Sequence, residues 1–185
     1  MVRRSGAAAH FTMGTDSADN NLLAKTCTST GETLAALSEK SPVLLVLLRH
    51  EGCPFCRNAM YDIARQRHQI EDAGASIVFG HMGSQDEFTA FAARYGLSAI
   101  PAVANPDRSL YQGMGLQRAS VLRLLSPKIF WAYLKAIFSG HRPGKIKGDP
   151  FQLPGAFLLH HGKVVRSHPY RNAADRPDYV NLATP

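Results

Sequence analysis

The sequence predicts an α/β fold, a mixed central sheet with helices on both faces, in the order βαβα…ββα. Three observations predict it. Val43-Leu44-Leu45-Val46-Leu47-Leu48 is an apolar run without a polar residue, as in a strand buried on both faces. A helical pattern with Ala59, Met60, Ile63, Ala64 and Ile70 on one side follows it after a tight turn. Near the end, Leu153–His160 and Lys163–His168 flank His161-Gly162, which reads as a β-hairpin.

Taken in order, residues 1 to about 20 are rich in small and polar types and are expected to be mobile, leaving 21–185 as a single domain. Thr30-Gly31-Glu32-Thr33 opens a short helix through Leu34, Leu37 and Ser38, which Ser41-Pro42 ends. The apolar strand and the second helix come next, and Ala73-Gly74-Ala75 stops that helix. Ser76–Met82 is a second strand. Ser84 caps a helix to about Tyr95, with Gly96 as its stop. Ala99–Ala104 reads as a short strand, and Ser109-Leu110-Tyr111-Gln112 as a helix or another strand. Arg118–Leu125 is helical by pattern, and Ser126-Pro127 starts a further helix carrying Phe130, Trp131, Tyr133 and Phe138. That helix is apolar nearly all round, which asks for a cover: core packing, or a lid or dimer surface. After the hairpin, Asp175-Arg176-Pro177 opens a last helix through Tyr179, Val180 and Leu182.

The chemistry concentrates at Arg49-His50-Glu51-Gly52-Cys53-Pro54-Phe55-Cys56-Arg57. Pro54 suits a first helical position, where a missing N–H costs nothing. Cys53 then stands at the N-cap, where the helix dipole favours a thiolate and lowers its pKa. Arg49, His50 and Arg57 add positive charge, and Glu51 opposes them. Cys56, one turn further in, is expected to be the more buried sulfur. Two thiols so spaced can close a disulfide with little backbone movement, as a reversible dithiol couple requires. A zinc site needs a second ligand pair. Cys27 is alone, and His160 and His161, adjacent in an expected strand, should point to opposite faces. CxxC on a strand-to-helix turn is a thioredoxin-like signature, so redox chemistry is favoured over metal binding, and neither metal nor cofactor is expected.

Composition narrows the classes. No apolar stretch of the 185-residue chain reaches the length of a membrane span. Arg3-Arg4 is followed by too short an apolar segment, Ala7–Phe11, for an export signal, so the cytoplasm is the expected location. Three cysteines argue against a disulfide-stapled secreted scaffold. The net charge of +7 attracts anions, but the basic residues from Lys128 to Lys147 are mixed with Pro and Gly and read as a solvated face, not a nucleic-acid site.

From Thr30 onward the chain resembles the peroxiredoxin-like proteins of the AhpC/TSA type, relatives of selenoprotein L with a thioredoxin-like fold. The resemblance rests on Pro42–Arg57, on Asn105-Pro106-Asp107-Arg108-Ser109-Leu110-Tyr111, on Gly148–Phe157 and on the closing hairpin. It implies an insertion at about 97–150, Cys53 as the attacking thiol and Cys56 as its partner. It also implies a cis-proline beside the pair, Pro154 or else Pro101. The proline and threonine that peroxiredoxins carry ahead of the attacking cysteine are here Val46 and His50, and Pro154-Gly155 stands where they carry an arginine. Arg49 or His50 is left to take over that role. The expected activity is a thiol-disulfide redox reaction on a small peroxide or a disulfide, reset by a thioredoxin- or glutaredoxin-type dithiol donor. A lipid endoperoxide is a further substrate class among relatives. A non-catalytic thioredoxin-fold binding module is the alternative from another class.

Overall fold

The computed structural model describes residues 16–119, 131, 138, 148–172 and 174–184, the side chains of 16–19 excepted. Helices α1 (Asp16–Lys25) and α2 (Leu34–Lys40) lead into strand β1 (Val43–Leu47), helix α3 (Pro54–Asp72) and strand β2 (Ser76–His81). Helix α4 (Gln85–Ala93), strand β3 (Ala102–Ala104) and helix α5 (Ser109–Gly113) follow. The hairpin of β4 (Gly155–His160) and β5 (Lys163–Pro169) and helix α6 (Tyr179–Ala183) close the chain.

The five strands form one sheet in the order β3-β2-β1-β4-β5. β1 runs parallel to β2, and β2 to β3; β4 pairs antiparallel with both β1 and β5. Alternation along the strands sorts the core into two layers. Leu44, Val46, Ile77, Phe79 and Leu158 pack with α3, α4 and α6 on one face. Leu45, Leu47, Val78, Phe157 and Leu159 pack with Leu23 of α1, Leu34 of α2 and Tyr111 of α5 on the other. β1 is central and buried along its whole length, which is why its sequence carries no polar residue. Its C-terminal end delivers the chain to the cysteines.

Several expectations are corrected. α1 begins inside the stretch expected to be mobile, and fully buried Leu23 anchors it to the core. β3 is shorter than expected, because Pro101 lacks an N–H for the ladder; its carbonyl instead accepts from Phe79 at 3.0 Å. Ser109–Gly113 resolves as a helix. Arg118 is not helical: it bridges to Gln152, with Ala119 N–H donating to Phe151 and Leu153 N–H to Gln117. The other residues of the two helices expected between 118 and 140 lie outside the described residues, apart from helical Trp131 and Phe138, both exposed. α6 starts at Tyr179, because Asp178, not Asp175, caps it through the N–H of Asn181. The hairpin turn takes positive φ at His161 as well as Gly162. That breaks the strand alternation, so the rings of His160 and His161 stack at 4.0 Å instead of facing opposite ways.

Candidate active site

Cys53 is the N-cap of α3 and Pro54 fills the first turn, as the sequence requires. The Cys53 N–H donates to the His50 carbonyl at 3.1 Å, and its carbonyl accepts from Arg57 N–H at 3.1 Å, so the turn and the helix start are one hydrogen-bonded unit. Both cysteines are free thiols. They are equally buried, Cys53 at 2% and Cys56 at 3% exposure, which corrects the expectation of a more open Cys53. Phe55 and Ala59 of α3, Leu48 just after β1, and Pro154 and Tyr170 at the open end of the hairpin close over them around a cavity of about 10 Å³. That is room for about one water molecule.

The two sulfurs are electrostatically distinct. Interaction with the Cys56 thiol is the largest cause holding Cys53 down, at about 6; burial opposes it, and the Arg49 charge and the N–H groups of Cys56 and Phe55 add to the lowering. The same interaction, burial and the Cys53 charge push Cys56 well above the ordinary range. Cys56 Sγ also accepts the Arg49 N–H at 3.3 Å. Cys53 is therefore ionised at neutral pH and Cys56 keeps its proton. The helix terminus contributes less than the neighbouring thiol, a ranking that spacing alone does not reveal.

The flanking residues divide. Arg49 lines the thiol cavity, and its Nε and Nη1 are buried without a hydrogen-bond partner among the described residues. His50 turns to the opposite side, into a second small cavity with Glu51, His81, Met82 and Phe88. Burial, then the Arg49 charge, lowers His50 to about 4, so it is neutral and does not add charge at the thiols. Extended chain after β1 sends neighbouring side chains to opposite faces, which is why only one of the two reaches the sulfurs. Arg57 Nε donates to the Glu51 carbonyl at 3.1 Å and braces the turn.

Pro154 stands beside the cysteines as the resemblance implies, but neither it nor Pro101 is cis. Both continue a ladder in trans: the Pro154 carbonyl accepts from Tyr170 N–H at 3.1 Å, as Pro101 does from Phe79. Two tyrosines escaped the sequence reading. Tyr111, fully buried, places its hydroxyl 2.6 Å from the Leu48 carbonyl and 3.1 Å from that of Gly80, pinning the end of β1 to β2 just before the site. Tyr170 lines the cavity, with its hydroxyl 2.7 Å from that of Tyr179. Its signal was the hairpin register, which a bulge between Leu158 and Leu159 hides.

Among the described residues, no three His, Cys, Asp or Glu side chains are grouped to hold a metal ion, and no helix is long and apolar enough to cross a membrane. A comparison with curated proteins gives no match. Solved peroxiredoxins share the fold. The bacterioferritin comigratory protein of Xanthomonas campestris, in a study of its alkyl peroxide reduction, is similar at 18% identity and TM-score 0.56 over 80% of this chain and 82% of its own. Peroxidoxin BcpB of Mycobacterium tuberculosis is similar at 13% identity and TM-score 0.54, over 86% and 87%. The yeast mitochondrial 1-Cys peroxiredoxin is similar at 8% identity and TM-score 0.59, over 85% and 68%. The family model of the AhpC/TSA antioxidant enzyme matches residues 62–172, which begin within α3, after Cys53 and Cys56, and end beyond Tyr170. With more than half of its length matched and a peroxiredoxin fold around its thiols, the chain belongs to the AhpC/TSA antioxidant enzyme family, the peroxiredoxin-like thiol oxidoreductases.

Proposed function

We propose that the chain reduces hydroperoxides, with the Cys53 thiolate as nucleophile and Cys56 as the resolving thiol. One observation carries this: a low-pKa sulfur, a protonated partner thiol and an unpartnered guanidinium edge share one closed cavity of about 10 Å³. The Cys53 thiolate attacks one peroxide oxygen, and the sulfenic acid that results condenses with the Cys56 thiol to a disulfide and water. Arg49 supplies fixed positive charge where negative charge develops on the departing oxygen. A dithiol protein of the thioredoxin or glutaredoxin type returns the pair to thiols. The size of the cavity favours a peroxide head group over a protein disulfide as oxidant, because both sulfurs are sealed from a macromolecule.

Stopped-flow oxidation of the reduced protein by hydrogen peroxide tests the proposal. Fast oxidation that disappears in Cys53→Ser, with a sulfenic acid trapped in Cys56→Ser, is the expected result. Oxidation no faster than that of a free thiol would leave a disulfide reductase or a binding module in its place.

A further inference from the structure

We propose that Tyr170 is a further catalytic residue of this site, its hydroxyl donating a hydrogen bond to the leaving oxygen of a bound hydroperoxide while Tyr179 orients it. The inference rests on Cys53 being the attacking thiolate. It starts from proton accounting. The two tyrosine hydroxyls are 2.7 Å apart, and the side chains are 6% and 1% exposed. Each hydroxyl owns one proton, and the bond between them uses one. The other has no acceptor among the described residues. If Tyr170 donates to Tyr179, a buried donor on Tyr179 stays unsatisfied whatever enters the site. If Tyr179 donates to Tyr170, the spare proton belongs to the residue that lines the thiol cavity. A ligand in that cavity then satisfies it, and no buried donor is left over.

The position is built, not incidental. The Tyr170 N–H is held by the Pro154 carbonyl at 3.1 Å, where β5 ends beside the cysteines. Burial holds both hydroxyls above the ordinary tyrosine range, so each keeps its proton beside the thiols. Arg49 lines the same cavity, so an ionic donor and a neutral donor serve one small space.

In the reaction the sulfur–oxygen bond forms as the oxygen–oxygen bond breaks. Sulfur gives up two electrons, and they depart on the second oxygen. The hydroperoxide's own proton passes to that oxygen, which leaves as alcohol or water. Cys53 is left as a sulfenate, which solvent protonates. Tyr170 bonds to the departing oxygen and keeps its proton throughout, in line with burial holding it well above the ordinary range.

The test compares two reactions of Cys53 in wild type, Tyr170→Phe, Tyr179→Phe and the double variant. One is single-turnover oxidation by hydrogen peroxide and tert-butyl hydroperoxide; the other is alkylation by iodoacetamide, which needs the thiolate but no leaving-group donor. Tyr170→Phe should lose oxidation rate by about 100-fold. Its alkylation rate should stay within about twofold of wild type, because the thiolate is untouched. Tyr179→Phe should lose less, and the double variant no more than Tyr170→Phe, because Tyr179 acts through Tyr170. Unchanged oxidation in Tyr170→Phe overturns the proposal, and so does a parallel fall in both reactions, the mark of a merely structural role. Should Tyr170→Phe fail to fold, the same split in Tyr179→Phe supports the proposal and a parallel fall overturns it. Wild-type oxidation no faster than a free thiol overturns the peroxide reading itself, and is seen before any tyrosine is changed.

Discussion

Replacing Cys56 by alanine separates what its thiol does for Cys53 from what the helix terminus does. The lowering of Cys53 from 9.0 to about 6 amounts to about 4 kcal/mol in favour of the thiolate. At pH 7 it turns a sulfur that would be about 1% ionised into one that is about 90% ionised. Interaction with Cys56 is the largest cause, so Cys56→Ala should move the titration midpoint upward from about 6 toward 9.0. Arg49 and the N–H groups of α3 remain to hold part of the effect. The assay is iodoacetamide alkylation of Cys53 against pH in a Cys27→Ser background, because Cys27 is exposed and reacts as well. The midpoint is the quantity to compare, since a thiolate of higher pKa is intrinsically more nucleophilic and raises the plateau. A midpoint that stays near 6 or falls in Cys56→Ala would refute the reasoning and return the effect to the helix terminus and Arg49.

Three further outcomes are expected. Arg49→Met should slow peroxide oxidation of Cys53 by about 100-fold and raise its alkylation midpoint, whereas an unchanged oxidation rate would remove Arg49 from the site. His50 binds its proton only near pH 4 in the folded chain but near 6.5 when unfolded, so its contribution to stability is lost as pH falls from 6.5 to 4. Urea unfolding at pH 7.5 and 4.5 should show His50→Leu spared about 2 kcal/mol of that loss, after discounting for partial solvent access, and equal losses in both proteins would contradict it. Tyr111→Phe should cost about 1–3 kcal/mol in urea unfolding, because it strips the buried Leu48 carbonyl of its hydroxyl donor, and it should leave the Cys53 midpoint in place.

What the sequence made legible is whatever depends on local pattern. β1, α3, the Cys53 cap with Pro54 behind it, and the turn at His161-Gly162 follow from apolar runs, propensity and turn chemistry within a few residues. What stayed hidden depends on register and on which way a side chain turns. Arg49 and His50 look equivalent in sequence, yet only Arg49 faces the sulfurs. Counting back evenly from the hairpin turn places Pro154 opposite Pro169. The bulge between Leu158 and Leu159 adds one residue to β5 and brings Tyr170 there instead. Pro154 lines the thiol cavity, but the cis isomer that the resemblance implies is absent: the bond before it is trans.

The near-complete burial of both sulfurs makes the site a sieve. On the proposed chemistry, the oxidant enters by diffusion, because a peroxide head group is close to the water-sized scale of the chamber and far smaller than a protein. The proposed reductant is a protein whose sulfur would have to line up with the Cys53–Cys56 bond, past Phe55, Pro154 and Tyr170, which line the cavity. On that proposal, the turn from Arg49 to Arg57 would have to swing clear of the hairpin before the pair is reset, and the two halves of a turnover would have different gates.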